Sequence, residues 1–163
     1  MSKDAVEEMQ AFHWMMEMVQ SVDVGIVVLD RNFRIQVWNE FMESHSGLLA
    51  NSVRDKSLFS LFPEIDKTWF EKKAKPVFEL HTRAFMTWEL RPFLFKFPNY
   101  RPITGGDPFM YQNITLAPLR SANGQVNSIS MMIYDMTDVA LGKRRFEALQ
   151  VHINETNESS KII

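Results

Sequence analysis

The dipeptide Asn123-Gly124 constrains this chain more than any other feature. Both residues tolerate positive φ, so the pair is a strong short-range hairpin signal. Its flanks agree. Residues 109–120 and 125–135 read as two strands joined at that turn. A second hairpin is expected over 24–38: Val24-Gly25-Ile26-Val27-Val28-Leu29 is short, apolar and β-branched. Asp30-Arg31-Asn32 then supplies turn chemistry. Phe33, Ile35 and Val37 follow, alternating with Arg34 and Gln36, a strand with one wet face.

Between the hairpins the pattern changes period. Asn39 is a good N-cap for a short helix through Phe41 and Met42. From Gly47 to Pro63 the apolar anchors suggest only short helical turns, and Ile65–Leu80 reads as a longer helix that Pro76 kinks or divides. Phe85–Phe97 is an aromatic-rich strand in which Pro92 marks an edge or a bulge. Residues 98–108 form a loop by composition.

Helices close both ends. Ala5, Met9, Phe12, Met16 and Val19 make one apolar stripe over residues 4–20, and Val139, Gly142, Phe146, Leu149 and Ile153 make another near the C-terminus. Thr137 or Asp138 can cap the second helix, and the polar tail from Asn154 is expected to fray. Strand runs flanking a helical block give an α+β fold: a five-stranded antiparallel sheet with helices on one face and a cavity between. The expected division is an N-terminal amphipathic helix over 1–22, a core over 23–138, and a C-terminal helix with a polar tail over 139–163.

Composition narrows the function. At 163 residues with 45% hydrophobic, the chain fits one domain with a sizeable core. A net charge of -2 leaves no basic excess for a phosphate backbone, so no nucleic-acid partner is expected. Without cysteine there are no disulfides, thiolate metal sites or cysteine nucleophiles. No apolar run approaches the roughly 18–20 residues of a membrane helix, and the acidic N-terminus is no signal peptide, so a cytoplasmic location off the membrane is expected. Eleven Met and thirteen Phe suit a core that holds a ligand or shifts its packing, although such cores also occur without one.

Catalysis finds little support. Ser44-His45-Ser46 places hydroxyls beside an imidazole, but adjacent helical residues do not face one another. There is no nucleophile elbow and no phosphate-binding glycine loop, and Glu40, Glu43 and Glu64 read as solvated. His13, His45, His81 and His152 are scattered, so no protein metal site is expected. The chain reads as a non-enzyme.

Three places resemble the PAS family: the opening hairpin from Val24 through Asn39, the Asn123-Gly124 turn, and Asp135-Met136-Thr137, which looks like the D-x-T motif ending a PAS core. The resemblance covers about residues 12–150. Arg91-Pro92-Phe93-Leu94-Phe95 and Tyr100-Arg101-Pro102-Ile103-Thr104-Gly105 look like sensory domains that precede bacterial diguanylate cyclases. The cyclase signature itself is lacking, since Gly105-Gly106-Asp107 runs into Pro108-Phe109; the chain is a free-standing sensor or a piece of a longer protein.

The resemblance implies a signal-transducing sensor in bacterial signalling linked to cyclic-di-GMP. Asp135 and Thr137 would relay the signal into the terminal helix. Trp88, Arg91, Phe93, Tyr111, Gln112 and Met131 are candidate walls of a pocket for an unknown small molecule. The alternative is that the aromatics are core and Arg91 lies on the wet face, satisfied by Glu89 or Asp135. Haem-binding relatives take their iron ligand near His81, although a histidine at a helix C-terminus is favoured by the dipole anyway. Flavin photochemistry of the cysteine type is not supported. Homodimerisation through Met9, Phe12, Met16 and Val19 is implied, against the alternative that this helix covers its own sheet. The output partner would be a diguanylate cyclase or a kinase. The rival reading is a ligand-free interaction and dimerisation module.

Overall fold

The strands form in the expected order and pair into one antiparallel sheet. The structure is a computed structural model and describes residues 2–99 and 108–162. The segment Tyr100 to Gly105, and with it most of the expected loop, lies outside the described residues. The strands are β1 Gly25–Asp30, β2 Ile35–Trp38, β3 Ala84–Met86, β4 Gln112–Arg120 and β5 Val126–Asp135. Their order across the sheet is β2-β1-β5-β4-β3. Between β2 and β3 come α2 Glu40–Ser46, α3 Ala50–Val53, α4 Leu58–Leu61 and α5 Lys67–Leu80; α1 Lys3–Ser21 precedes the sheet and α6 Thr137–Lys161 follows it.

Period-2 alternation sends Val27, Leu29, Ile114, Leu116, Ile129, Met131 and Ile133 into the core. There they meet Met42, Val53, Leu58, Phe70, Ala74 and Val77 from the helical block. The opposite face of the sheet stays partly open, with Ile26 and Val28 half-buried and Met132 and Tyr134 exposed. Gly25 is where α2 lies closest: a Cβ there would stand 2.7 Å from Met42 Sδ and 3.0 Å from Phe41 Cδ1.

Several expectations need correction. The first hairpin does not alternate cleanly. Phe33 takes φ 58° and the register slips between Val28 and Leu29, so Ile35 and Trp38 face the core while Val37 does not. The Phe33 ring compensates for its backbone by packing against Phe59 and Phe70 at 5.4 and 5.8 Å. In the second hairpin only Gly124 takes positive φ; Asn123 instead accepts the Gln125 N–H through Oδ1, closing a longer turn from Ser121.

The aromatic strand ends after three residues, at Met86. Leu90 and Arg91 donate their N–H groups to Thr87 O, a helical turn that Pro92 cannot convert back into ladder. Pro76 does not divide α5, which runs unbroken from the Asp66 cap. Neither Thr137 nor Asp138 caps α6 through its side chain; the N-cap position is Met136. The tail from Asn154 continues as helix to Lys161.

Candidate functional site

The chemistry-bearing residues gather where α6 leaves the sheet. β4 and β5 run in register, with Gln112 opposite Asp135. Asp135 Oδ1 accepts the Thr137 N–H at 2.9 Å and the Thr137 hydroxyl at 2.6 Å. The Thr137 Oγ1 in turn accepts the Tyr111 N–H at 3.2 Å, and Met136 N–H donates to Tyr111 O at 2.8 Å. Thr137 is buried. The expected relay pair therefore binds the first turn of α6 to the chain entering β4.

An excursion from the sheet begins at residue 87, and its described limb, residues 87–99, replaces most of the expected aromatic strand. Gln112 anchors it. Its Oε1 accepts from Leu94 N and Phe95 N at 3.0 and 3.1 Å, and its Nε2 donates to Phe95 O at 2.8 Å. Its own N–H donates to Pro92 O. Trp88 N–H donates to Asn113 Oδ1, and the Trp88 ring meets Tyr111 edge-on at 5.7 Å. The excursion also touches α6: Lys143 Nζ lies 3.1 Å from Glu89 Oε2 and 5.5 Å from the Trp88 ring centre, and the Arg144 guanidinium stands 5.2 Å over Tyr111.

The six proposed pocket residues thus make their contacts with one another and with the core. Arg91 lies 3.7 Å over the Trp69 ring, Phe93 packs on Phe109 at 5.2 Å, and Met131 is fully buried. Glu89 and Asp135, the two acids considered as partners for Arg91, hold Lys143 and Thr137 instead. Aromatic rings pack against one another between the sheet and the helices. Phe95 packs on Phe97 and Phe62 at 5.0 Å each, and Phe62 on Trp38 at 5.7 Å. Five grooves among the described residues are lined by other side chains.

The largest groove, about 750 Å³, lies on the other face of the sheet. Its floor includes Ile26, Val28, Val37 and Met132, and Met16, Val19 and Gln20 of α1 form one wall. The end of α1 therefore leans on its own sheet, while Met9 and Phe12 are 59% and 58% exposed. Asn39 fixes that arrangement. Its Nδ2 donates to Val19 O and Val24 O, and its Oδ1 accepts from Ile26 N and Met42 N. The N-cap expectation was legible in sequence; the tie to α1, which lies twenty residues away, was not.

His81 is exposed at the C-cap of α5 with φ 56°, the position a helix end favours, and does not line any of those grooves. His45 is the histidine that burial affects. It packs on Phe41 at 4.3 Å and Phe97 at 6.0 Å. Desolvation lowers its pKa, opposed by the charges of Asp135 and Asp23. Sequence reading dismissed it as half of a Ser-His pair; its apolar neighbour Phe97 arrives only through the excursion. Among the described residues no cluster of His, Asp or Glu is suited to a metal, and no helix is long and apolar enough to cross a membrane.

Residues 19–141 match the family described as the PAS fold. The chain belongs to that family. The expected α+β architecture is the PAS architecture, a five-stranded antiparallel sheet with an N-terminal and a long C-terminal helix. No curated protein matches the sequence. Solved structures do. The sensory box histidine kinase from Vibrio cholerae is 20% identical over 81% of this chain and 97% of that one, with TM-score 0.55. The PAS domain of BvgS from Bordetella pertussis is 16% identical over 88% of this chain and 98% of that one, with TM-score 0.58. Histidine kinase ThkA, solved with the response regulator TrrA, is 22% identical over 88% of this PAS chain but 39% of its own, with TM-score 0.60. Two of these three are sensor or histidine kinases, so the likeness is not specifically to the PAS domains of diguanylate cyclases.

Proposed function

We propose that this PAS chain is a non-catalytic signalling domain that docks through its end helices and passes changes in its core to a partner reading α6. The observation that carries the reading is a contrast. The interior is filled by rings, whereas both end helices carry uncovered apolar stripes: Met9 and Phe12 on α1, Phe146 and Leu149 (61% and 60% exposed) on α6. Such faces mark interaction sites. A second copy of the chain is the first partner, because two short seams of this kind stabilise each other when paired. The output is a kinase or a diguanylate cyclase. The kinase takes precedence because two solved structures of similar fold are histidine kinases. A ligand is not required for this reading.

Light scattering and native mass spectrometry test it together. Doubled mass at micromolar concentration is expected, reverting to single mass in Phe12→Glu and Phe146→Glu. A single mass at about 100 μM, the wild type matching both variants, would remove the docking reading. A discrete excess mass on the protein as purified would instead restore ligand sensing to first place.

A further inference from the structure

Two points on one rod fix its direction, and α6 is held at two. The first is the junction at Thr137, bound to Asp135 and to Tyr111 N–H. The second is Lys143, whose ammonium lies against Glu89 and over Trp88, beside Arg144 over Tyr111. Six residues of helix separate Thr137 from Lys143, about 9 Å at 1.5 Å per residue. At the second point Lys143 meets the 87–97 limb of the excursion, and Arg144 meets Tyr111, the residue that precedes β4. That limb is not part of the ladder. Its shape comes from the Thr87–Arg91 turn and from the Gln112 amide, which grips Leu94 and Phe95.

We propose that residues Trp88 and Glu89 are a strap on α6. While Lys143 is engaged, the angle of α6 is set by the excursion; when the strap opens, α6 pivots about Thr137, which stays tied to Asp135. The Thr137 end is buried and the Lys143 contact is half exposed, so the second point is the one that opens first. Geometry amplifies the event. A helix of this length spans about 37 Å, so a shift of about 2 Å at Lys143 becomes roughly 8 Å at the far end. Any partner reading the distal part of α6 would sense rearrangement of the excursion, with no change in the sheet.

The inference uses the reading of α6 as the output element but not the pairing of two copies, so it stands or falls separately from oligomeric state. Amide hydrogen exchange on the full chain decides it, with wild type and variants compared at the same oligomeric state. Loss of Lys143 removes an exposed ion pair and an exposed cation–π contact together and predicts a threefold to tenfold rise in exchange, whereas loss of the Glu89 charge removes the ion pair alone and predicts about a twofold to fivefold rise. Glu89→Gln should show the smaller rise and Lys143→Ala the larger one over residues 138–146. Coupling is reciprocal, so Lys143→Ala should raise it equally over 88–94, with β4 and β5 unchanged. The charge exchange Glu89→Lys with Lys143→Glu should restore only the ion-pair share of the protection, since a carboxylate at 143 cannot replace the cation over Trp88. Unchanged α6 rates in Glu89→Gln overturn the proposal. So does a Lys143→Ala effect confined to α6, or a charge exchange that restores nothing.

Discussion

At the scale of single residues, the polar groups that matter are buried ones with several partners. Gln112 serves three backbone groups of the excursion with one amide, and its burial means that water cannot take its place. Gln112→Ala should lower unfolding free energy by roughly 3 kcal/mol, because it strands two donors and an acceptor in the core. Urea titration reads this as a lower midpoint. His45 is the residue that carries pH. Its folded pKa is depressed, chiefly by burial, so the unfolded state binds more protons between that value and about 6.5. Stability linked to His45 is thus present above about pH 6.5 and is lost as pH falls through the folded pKa. Urea midpoints between pH 7.5 and 5 should fall more steeply in wild type than in His45→Gln.

At the scale of elements, the two end helices are tied to the core by different chemistry. The last turn of α1 is held by the Asn39 amide and by Met16 and Val19 beside the outer sheet face. The first turn of α6 has no side-chain cap at Met136, and Asp135, one residue earlier, does the equivalent work by accepting from Thr137 twice. Asp135→Ala should therefore cost about 1–2 kcal/mol and raise amide exchange across 138–141. Asp135→Asn keeps an acceptor oxygen and should retain part of the protection. Element lengths divide by origin. α1, α5 and both hairpins could be drawn from periodicity and turn residues, within a few positions. β3 could not: apolar alternation over Phe85–Phe97 is real, but the Thr87 carbonyl captures Leu90 and Arg91, and Pro92 removes a donor.

At the scale of the whole molecule, the sheet separates a closed side from an open one. The closed side is packed with rings, and Trp38, Phe70, Phe95 and Phe97 are almost wholly buried. The open side carries the groove of about 750 Å³ between α1 and Ile26, Val28 and Met132. Sequence reading placed the cavity on the closed side because aromatic residues at strand spacing suit a pocket wall. Whether such rings line a space or fill it depends on which of them meet, and Phe62 lies on a segment far in the chain from Phe95 and Phe97.

The sequence alone determined what local periodicity and turn chemistry can encode. That includes the antiparallel hairpins, the N-cap at Asn39, the D-x-T junction at Asp135 and Thr137, the apolar stripes of α1 and α6, and through their order the PAS fold. Only the tertiary structure decided the rest. It set Gln112 against Leu94 and Phe95, Arg91 against Trp69, Lys143 against Glu89 and Trp88, and His45 against Phe97. Each of these pairs joins residues seventeen or more positions apart. Their meeting is fixed by how the excursion folds back on the sheet and on α6, a long-range packing outcome for which no short-range signal exists in the chain.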